Sequence, residues 1–248
     1  MTRAASGAAP GATSGATCDA CPRRCRLAEG ALGRCHARRC RDDRVLPENY
    51  GRLTSIALDP IQKKPIARWM QGWTVLSVGS YGCNLRCPFC QNWQISQSGE
   101  GDVPWREVSP RELVHMALDV RRREESAGRQ MAGIAYTYNE PLVGWEYVRD
   151  CGELAHEAGL ANVLVSNGCT TPQVIATLAP LVDAANIDLK SFSPAFYHAC
   201  GAPAGALDAV RHTIEALAAE GGCHLEVTML VVPGMNDTDD HMQRLSRW

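Results

Sequence analysis

Three cysteines stand close together in Cys83-Asn84-Leu85-Arg86-Cys87-Pro88-Phe89-Cys90, a Cys-x3-Cys-x2-Cys spacing. One tight loop therefore offers three thiolates, one fewer than a cubane iron–sulfur cluster normally takes from protein. An iron without a protein ligand is an open coordination position, the property that separates catalytic from structural metal sites. A structural zinc site would want a fourth Cys or His close by, and the next twenty residues hold none. His115 falls on a predicted helix and is expected at the surface. The spacing thus predicts a cluster with one iron free to bind a small molecule. Gly82 is expected to turn the chain sharply off a preceding strand.

A second set of thiols lies near the N-terminus: Cys18-x2-Cys21-x3-Cys25-x9-Cys35, followed by Cys40. Four thiolates within so short a span suit a closed site, either zinc or an auxiliary iron–sulfur cluster. Arg23, Arg24, Arg26 and Arg34 lie among them and would offset thiolate charge. The spacing alone does not separate a structural site from a redox relay. The chain has 12 cysteines in all, and in a reducing compartment such clustering means metal or catalysis more often than disulfides. Cys151, Cys169, Cys200 and Cys223 are scattered and read as small buried hydrophobes, with Cys169 notable because it follows a predicted strand end. Trp69, Trp73 and Trp93 bracket the three-cysteine loop and are expected to shield it.

The elements that must position these groups follow from hydrophobic period. Strands are predicted at 73–80, 133–138, 163–166, 185–189 and 225–232, and helices at 109–126, 142–158, 172–181, 207–219 and 237–248. Ser109, Pro110 and Glu112 form a helix-start signature. Alternating strands and helices mean an α/β fold with parallel strands and helices outside. Asn186, Asp188 and Lys190 share one strand face, as do Glu226 and Thr228. Polar residues on one face suit the interior of a barrel whose site lies at the C-terminal strand ends. The expected organisation is a disordered tail at 1–17, a Cys-rich metal-binding annex at 18–44, a connector at 45–72 and a partial (β/α) barrel at 73–248. With 248 residues the chain can bury a real core, and its net charge of −2 gives no basic face for nucleic acid. No apolar run approaches the length of a membrane span and the N-terminus has no signal-peptide core, so a cytoplasmic location is expected.

The Cys-x3-Cys-x2-Cys loop, with Phe89 just before its last cysteine, resembles the signature of the radical S-adenosylmethionine superfamily. Three further stretches look like the AmmeMemoRadiSam-system radical enzymes, relatives of the pyruvate formate-lyase activating enzymes: Tyr50-Gly51-Arg52-Leu53-Thr54-Ser55, Leu58-Asp59-Pro60-Ile61-Gln62-Lys63-Lys64-Pro65, and Ser77-Val78-Gly79-Ser80-Tyr81-Gly82-Cys83-Asn84-Leu85. The resemblance covers about Cys18 to the C-terminus. It implies a TIM-like partial barrel in which Cys83, Cys87 and Cys90 hold a [4Fe–4S] cluster. It further implies that S-adenosylmethionine binds the fourth iron and is cleaved reductively to a 5′-deoxyadenosyl radical, which abstracts hydrogen from substrate.

Further strand ends fit a bound S-adenosylmethionine under this resemblance. Phe89 belongs to the signature. Tyr138-Asn139-Glu140-Pro141 stands where relatives usually carry Gly-Gly-Glu-Pro, so Glu140 is expected to meet the methionine ammonium while the two glycines are replaced. Ser166 and Asn167 suit a carboxylate or ribose. Asp188-Leu189-Lys190 resembles the activating enzymes' Asp-Leu-Lys, with Lys190 placed to offset the methionine carboxylate. Gly234, in Val232-Pro233-Gly234-Met235-Asn236-Asp237, resembles a turn that lies against adenine. Structural alternatives stand beside each: Asn139-Glu140-Pro141 as an ordinary helix start, Asn167-Gly168 as a common turn pair, Asp188 and Lys190 as an interior ion pair, Asn236 or Asp237 as a helix cap.

The expected function is radical-based oxidoreduction on an unidentified substrate. The alternatives are a glycyl-radical-enzyme activase, which acts on a glycine loop of a large protein, and a non-catalytic iron–sulfur electron carrier. The resemblance implies an electron donor such as flavodoxin or ferredoxin, and either a protein substrate or AmmeMemoRadiSam-system proteins as partners; neither nucleic acid nor membrane is expected. Five strands are predicted where the family's partial barrel usually has six. Met242, Leu245 and Trp248 give the last helix an apolar stripe with no terminating Gly, Asn or Pro, so the chain is expected to be C-terminally incomplete relative to its relatives.

Overall fold

The computed structural model describes residues 15–248. Most of the expected disordered tail, residues 1–14, lies outside the described residues. The tail's last three residues form a strand, β1 (Gly15–Thr17), paired antiparallel with β2 (Arg26–Ala28). A second hairpin follows, β3 (Arg38–Arg41) with β4 (Arg44–Pro47). These two small hairpins are the Cys-rich annex.

The stretch read as a connector, 45–72, carries more structure than its sequence signals. After β5 (Arg52–Leu53) comes β6 (Ser55–Pro60), which lies antiparallel on β7 (Thr74–Gly79) through six residue pairs. Pro60 sits at the strand's end on a sheet edge, where a missing N–H costs nothing. The loop after β7 holds the cysteines and a short helix, α1 (Trp93–Ser96), and β8 (Arg106–Glu107) returns to pair with β5.

From there the chain alternates as expected, apart from α5, a short helix absent from the sequence reading: α2 (Pro110–Ser126), β9 (Met131–Tyr136), α3 (Trp145–Glu157), β10 (Ala161–Ser166), α4 (Pro172–Leu178), β11 (Ala184–Asp188), α5 (Pro194–Ala199), α6 (Ala206–Ala219), β12 (His224–Thr228) and α7 (Asp239–Arg247). The sheet order is β12-β11-β10-β9-β7-β6, with five parallel strands and β6 antiparallel at the edge. The expected capping box closes the start of α2: the Glu112 N–H donates to Ser109 Oγ at 3.3 Å and the Glu112 carboxylate accepts from the Ser109 N–H at 2.8 Å. Close strand approach explains Gly133 in β9, where an added Cβ would fall 1.9 Å from the Ala161 carbonyl oxygen of β10.

Strand alternation divides the sheet's residues between two faces. Leu76, Val78, Ile134, Tyr136, Leu164 and Ile187 face the helices and form the main core with Leu113, Val148, Ile175 and Val210. On the concave face, Val75, Ala135, Val163 and Ala184 pack against Ile61 and Ile66, with Trp69 beside them. Residues 61–72 thus plug one end of the barrel. Glu226, predicted to face inward, fastens that plug by accepting the Ala67 and Arg68 N–H groups at 3.0 and 2.8 Å. With one end filled, the concave face opens at the other, where the parallel strands end. Among the described residues no helix is long and apolar enough to cross a membrane.

Candidate functional site

The loop that leaves β7 is held from three sides. Gly82 adopts a φ of +91°, a conformation costly for any residue with a Cβ. Its N–H donates to the Ile95 carbonyl at 3.0 Å, and the Glu140 N–H donates to its carbonyl at 3.3 Å. The Cys83 N–H donates to the Cys35 carbonyl of the annex at 3.1 Å. The annex is itself anchored far along the chain: the Thr170 and Thr171 hydroxyls donate to the Ala20 and Asp19 carbonyls at 2.8 and 2.7 Å.

Cys83, Cys87 and Cys90 all line one cavity of about 650 Å³ at the C-terminal strand ends, together with Phe89, Glu140, Ser166, Asn167, Asp188 and Lys190. The sulfurs have polar neighbours. Cys83 Sγ accepts from the Leu85 N–H at 3.4 Å and from Asn167 Nδ2 at 3.6 Å, and Cys90 Sγ lies 3.4 Å from Ser96 Oγ. Phe89 packs against Phe196 with ring centroids 6.0 Å apart. A donor set of three thiolates on one short loop, all facing one cavity, suits a cubane cluster whose remaining iron is open to a ligand from that cavity.

Glu140 is buried at 2 % exposure at the cavity wall. Its carboxylate accepts from Ser166 Oγ at 2.7 Å, the Asn167 N–H at 2.8 Å and the Leu142 N–H at 3.0 Å. Burial nevertheless pushes it up to about 7, because among the described residues no cation pairs with it. A buried carboxylate in that condition fits the ammonium of an amino acid. Lys190, by contrast, pairs with Asp188 at 2.9 Å, and its ammonium is held above the ordinary lysine value by that neighbour despite burial. Ser166 and Asn167 are largely occupied within the wall: Ser166 Oγ also accepts the Gly168 N–H at 2.9 Å, and Asn167 Nδ2 donates to Asn84 Oδ1 at 2.9 Å. Their hydrogen bonds brace Glu140 and the cysteine loop.

The two replaced glycines have a structural explanation. Tyr138 sits at φ +72°, in the left-handed region natural to glycine. Its hydroxyl donates to Asp59 Oδ2 at 2.6 Å, and the Lys64 ammonium lies 4.5 Å from the centre of its ring. Asn139 takes over backbone pairing with its side chain: Oδ1 accepts the Ser80 N–H at 2.9 Å, and Nδ2 donates to the Tyr81 and Gly82 carbonyls at 3.2 and 3.0 Å.

Several expectations need correction. Gly234 is exposed in a turn closed by Asp237 and does not line the cavity; Leu230 does instead. The turn is fastened by the buried Asn236, whose Nδ2 donates to the Lys190 carbonyl at 2.8 Å. Trp69 belongs to the barrel plug and Trp93 is 60 % exposed, so neither shields the cavity. Cys200 is more than a buried hydrophobe, since it stands within hydrogen-bonding reach of Cys87 and its carbonyl accepts the Arg86 N–H at 2.6 Å. It does not line the cavity. The cavity also gathers Lys63, Lys64, Asn186 and Thr228, of which only the inward faces of β11 and β12 were legible beforehand.

The chain is similar to several known proteins. A protein of Methanocaldococcus jannaschii, itself uncharacterized, is 37 % identical over 225 residues, covering 91 % of this chain; the chain spans 63 % of that relative's length. Among solved structures, TYW1 with a lysine-pyruvate adduct bound is similar at 18 % identity over 73 % of this chain and 67 % of that one, with a TM-score of 0.48. Streptococcus suis SuiB bound to S-adenosylmethionine matches at 11 % identity over 70 % and 38 %, with a TM-score of 0.47. A domain of a pyruvate-formate lyase-activating enzyme from Bacteroides vulgatus matches at 15 % identity over 47 % and 70 %, with a TM-score of 0.41. The sequence model of the radical SAM superfamily matches residues 77–245, a span that opens in β7, takes in the three-cysteine loop and runs through the last parallel strand, and the chain accordingly belongs to the radical SAM superfamily.

Proposed function

We propose that this chain cleaves S-adenosylmethionine reductively at a [4Fe–4S] cluster held by Cys83, Cys87 and Cys90, and uses the radical so formed to take hydrogen from a substrate in the same cavity. The observation that carries the reading is the meeting, in one cavity, of three cysteines from one loop with a buried carboxylate that lacks a cation. When bound, the cluster and S-adenosylmethionine supply one-electron chemistry at the sulfonium. The protein's own groups bind and orient. Glu140 receives the methionine ammonium, and the attraction stabilises its ionised form. Lys190, already beside Asp188, offers charge to the carboxylate. The N–H of Leu85 and the Asn167 amide hold Cys83 in place. The plug at 61–72 packs against the concave face of the sheet and fills one end of the barrel.

Within the superfamily we assign the chain to the AmmeMemoRadiSam group on the motifs around Tyr50, Leu58 and Ser77. Two of those motifs build the edge strand β6 and the cysteine loop, and Asp59, Lys63 and Lys64 stand at or beside the cavity wall. An electron donor of the flavodoxin or ferredoxin class completes the reading. The test is anaerobic: reconstituted, dithionite-reduced protein is incubated with S-adenosylmethionine, and 5′-deoxyadenosine is measured. Turnover is expected in the native chain and absent in Cys87→Ala. Retention of both cluster and turnover by Cys87→Ala would overturn the assignment.

A further inference from the structure

The four N-terminal thiols are not used by the proposed reaction, and none of them lines the cluster cavity. Cys18, Cys21 and Cys35 are nevertheless buried, and Cys25 is half-buried. Two turns bring them together. In the first, the Cys18 N–H donates to the Cys25 carbonyl at 2.8 Å and the Arg24 N–H to the Cys21 carbonyl at 3.1 Å. In the second, the His36 N–H donates to the Gly33 carbonyl at 2.9 Å, presenting Cys35 to the first.

We propose that Cys18, Cys21, Cys25 and Cys35 form a closed tetrathiolate site for a single divalent ion of the zinc class, which fixes the annex against the back of the cluster loop. Backbone N–H groups stand near three of the sulfurs. The N–H of Ala20 faces Cys18, that of Arg23 faces Cys21 and that of Ala37 faces Cys35, each two residues beyond its cysteine. At the cluster loop the corresponding group, the Leu85 N–H, donates to Cys83 Sγ at 3.4 Å. A neutral buried thiol has little use for such a donor, whereas a metal-ligating sulfur is oriented and stabilised by it. Arg38, buried at 2 % exposure, adds a fixed cation beside Cys18 and Cys35.

The annex also lacks another source of cohesion. Apart from its cysteines, its buried apolar residues are Ala20, Leu27 and Ala37. So small a unit needs a staple such as a metal, and its cysteines are free thiols. Four thiolates complete the shell of zinc or of a cubane alike, and zinc is favoured because Cys18, Cys21, Cys35, Ala20 and Ala37 are all 9 % exposed or less, which leaves room for one ion rather than a four-iron cluster. Among the described residues no three Cys, His, Asp or Glu side chains stand as a ready-made ion cage, and that holds for Cys83, Cys87 and Cys90 as well. Binding at either set therefore requires the thiols to draw together. The site's consequence is positional: Cys35 is the residue whose carbonyl receives the Cys83 N–H, so an ion that locks Cys35 also locks the first cluster ligand.

The experiment separates this site from the proposed activity. The full chain carrying Cys83→Ala, Cys87→Ala and Cys90→Ala is purified, and zinc, iron and acid-labile sulfide are measured by mass spectrometry and colorimetry. One zinc per chain without sulfide is expected, and exchange with cobalt(II) should give the ligand-field bands of a tetrahedral thiolate complex. Adding Cys21→Ser and Cys35→Ser should abolish both. Because the triple variant loses packing at the loop, the native chain with its reconstituted cluster is measured in parallel, and one zinc in addition to the cluster iron is expected there. Absence of zinc from both preparations, persistence of zinc after Cys21→Ser and Cys35→Ser, or extra iron and sulfide in its place would overturn the proposal.

Discussion

Replacing Gly82 by Ala tests whether the annex sets the position of the cluster loop. Two costs combine at this position. A φ of +91° is strained for an L-residue by about 1–2 kcal/mol. The new methyl would also lie 2.5 Å from the Cys35 carbonyl oxygen and 2.7 Å from the Ala37 Cβ. Neither is the far end of a flexible side chain, so the annex backbone must retreat. Retreat opens the Cys83 N–H to Cys35 carbonyl bond, whose loss is worth about 1 kcal/mol. The sum, about 3 kcal/mol, corresponds to a fall in melting temperature of about 6–12 °C for a chain of this size. Differential scanning fluorimetry of the purified chain reads the shift, and iron per chain after anaerobic reconstitution reads the effect on the loop. Gly128→Ala is the control, since its φ of +72° carries the strain but nothing lies within 4 Å of an added Cβ. If Gly82→Ala melts no lower than Gly128→Ala and loads iron fully, the annex does not brace the loop.

Glu140 gives a pH prediction. The folded chain keeps its proton up to about 7 and the unfolded chain releases it near 4.5, so the folded state binds more protons in between. Stability should therefore fall as pH rises through that window, by about 3 kcal/mol, and Glu140→Gln should flatten the slope; equal slopes in urea melts of the two proteins would refute this. Arg38→Met should cost about 3 kcal/mol in denaturant unfolding, because Arg38 bonds both Glu146 oxygens at 2.7 and 2.9 Å and the Val143 carbonyl at 3.0 Å, and Glu146→Leu in the same chain should recover part of it. Gly133→Ala should lower stability by about 3 kcal/mol, since the methyl would meet the backbone of β10, and a loss under 1 kcal/mol in the same assay would show that β9 and β10 can part freely.

The regular part of this fold was legible because its signals are local. Each parallel strand and each of the longer packing helices announces itself by period, whereas the six-residue α5 does not, and the Ser109 capping box lies within four residues. The three cluster cysteines were legible for the same reason. What was missed depends on distance. Strand β6 is recognisable only through its pairing with β7, and Cys200 gains its meaning from a Cys87 that lies over a hundred residues earlier. Asn139 looked like a loss of glycine flexibility, yet its side chain supplies the contacts, which no spacing rule reports. Gly234 lies off the cavity lining, and a turn after a strand carries no information about which way the turn faces.

The anchoring of the annex sets an order of events during synthesis. Asp19 and Ala20 leave the ribosome early, but the threonines that hold them follow 152 and 150 residues later. At ordinary translation speeds that is a wait of about 8–30 s. Through this interval the hairpins lack the Cys169–Thr171 loop, and for most of it helix α3 as well. The N-terminal unit is therefore made long before it can be seated. Ribosome-arrested chains ending before Cys169 should show an annex open to protease and thiol reagents, and chains extending past α4 should show it closed.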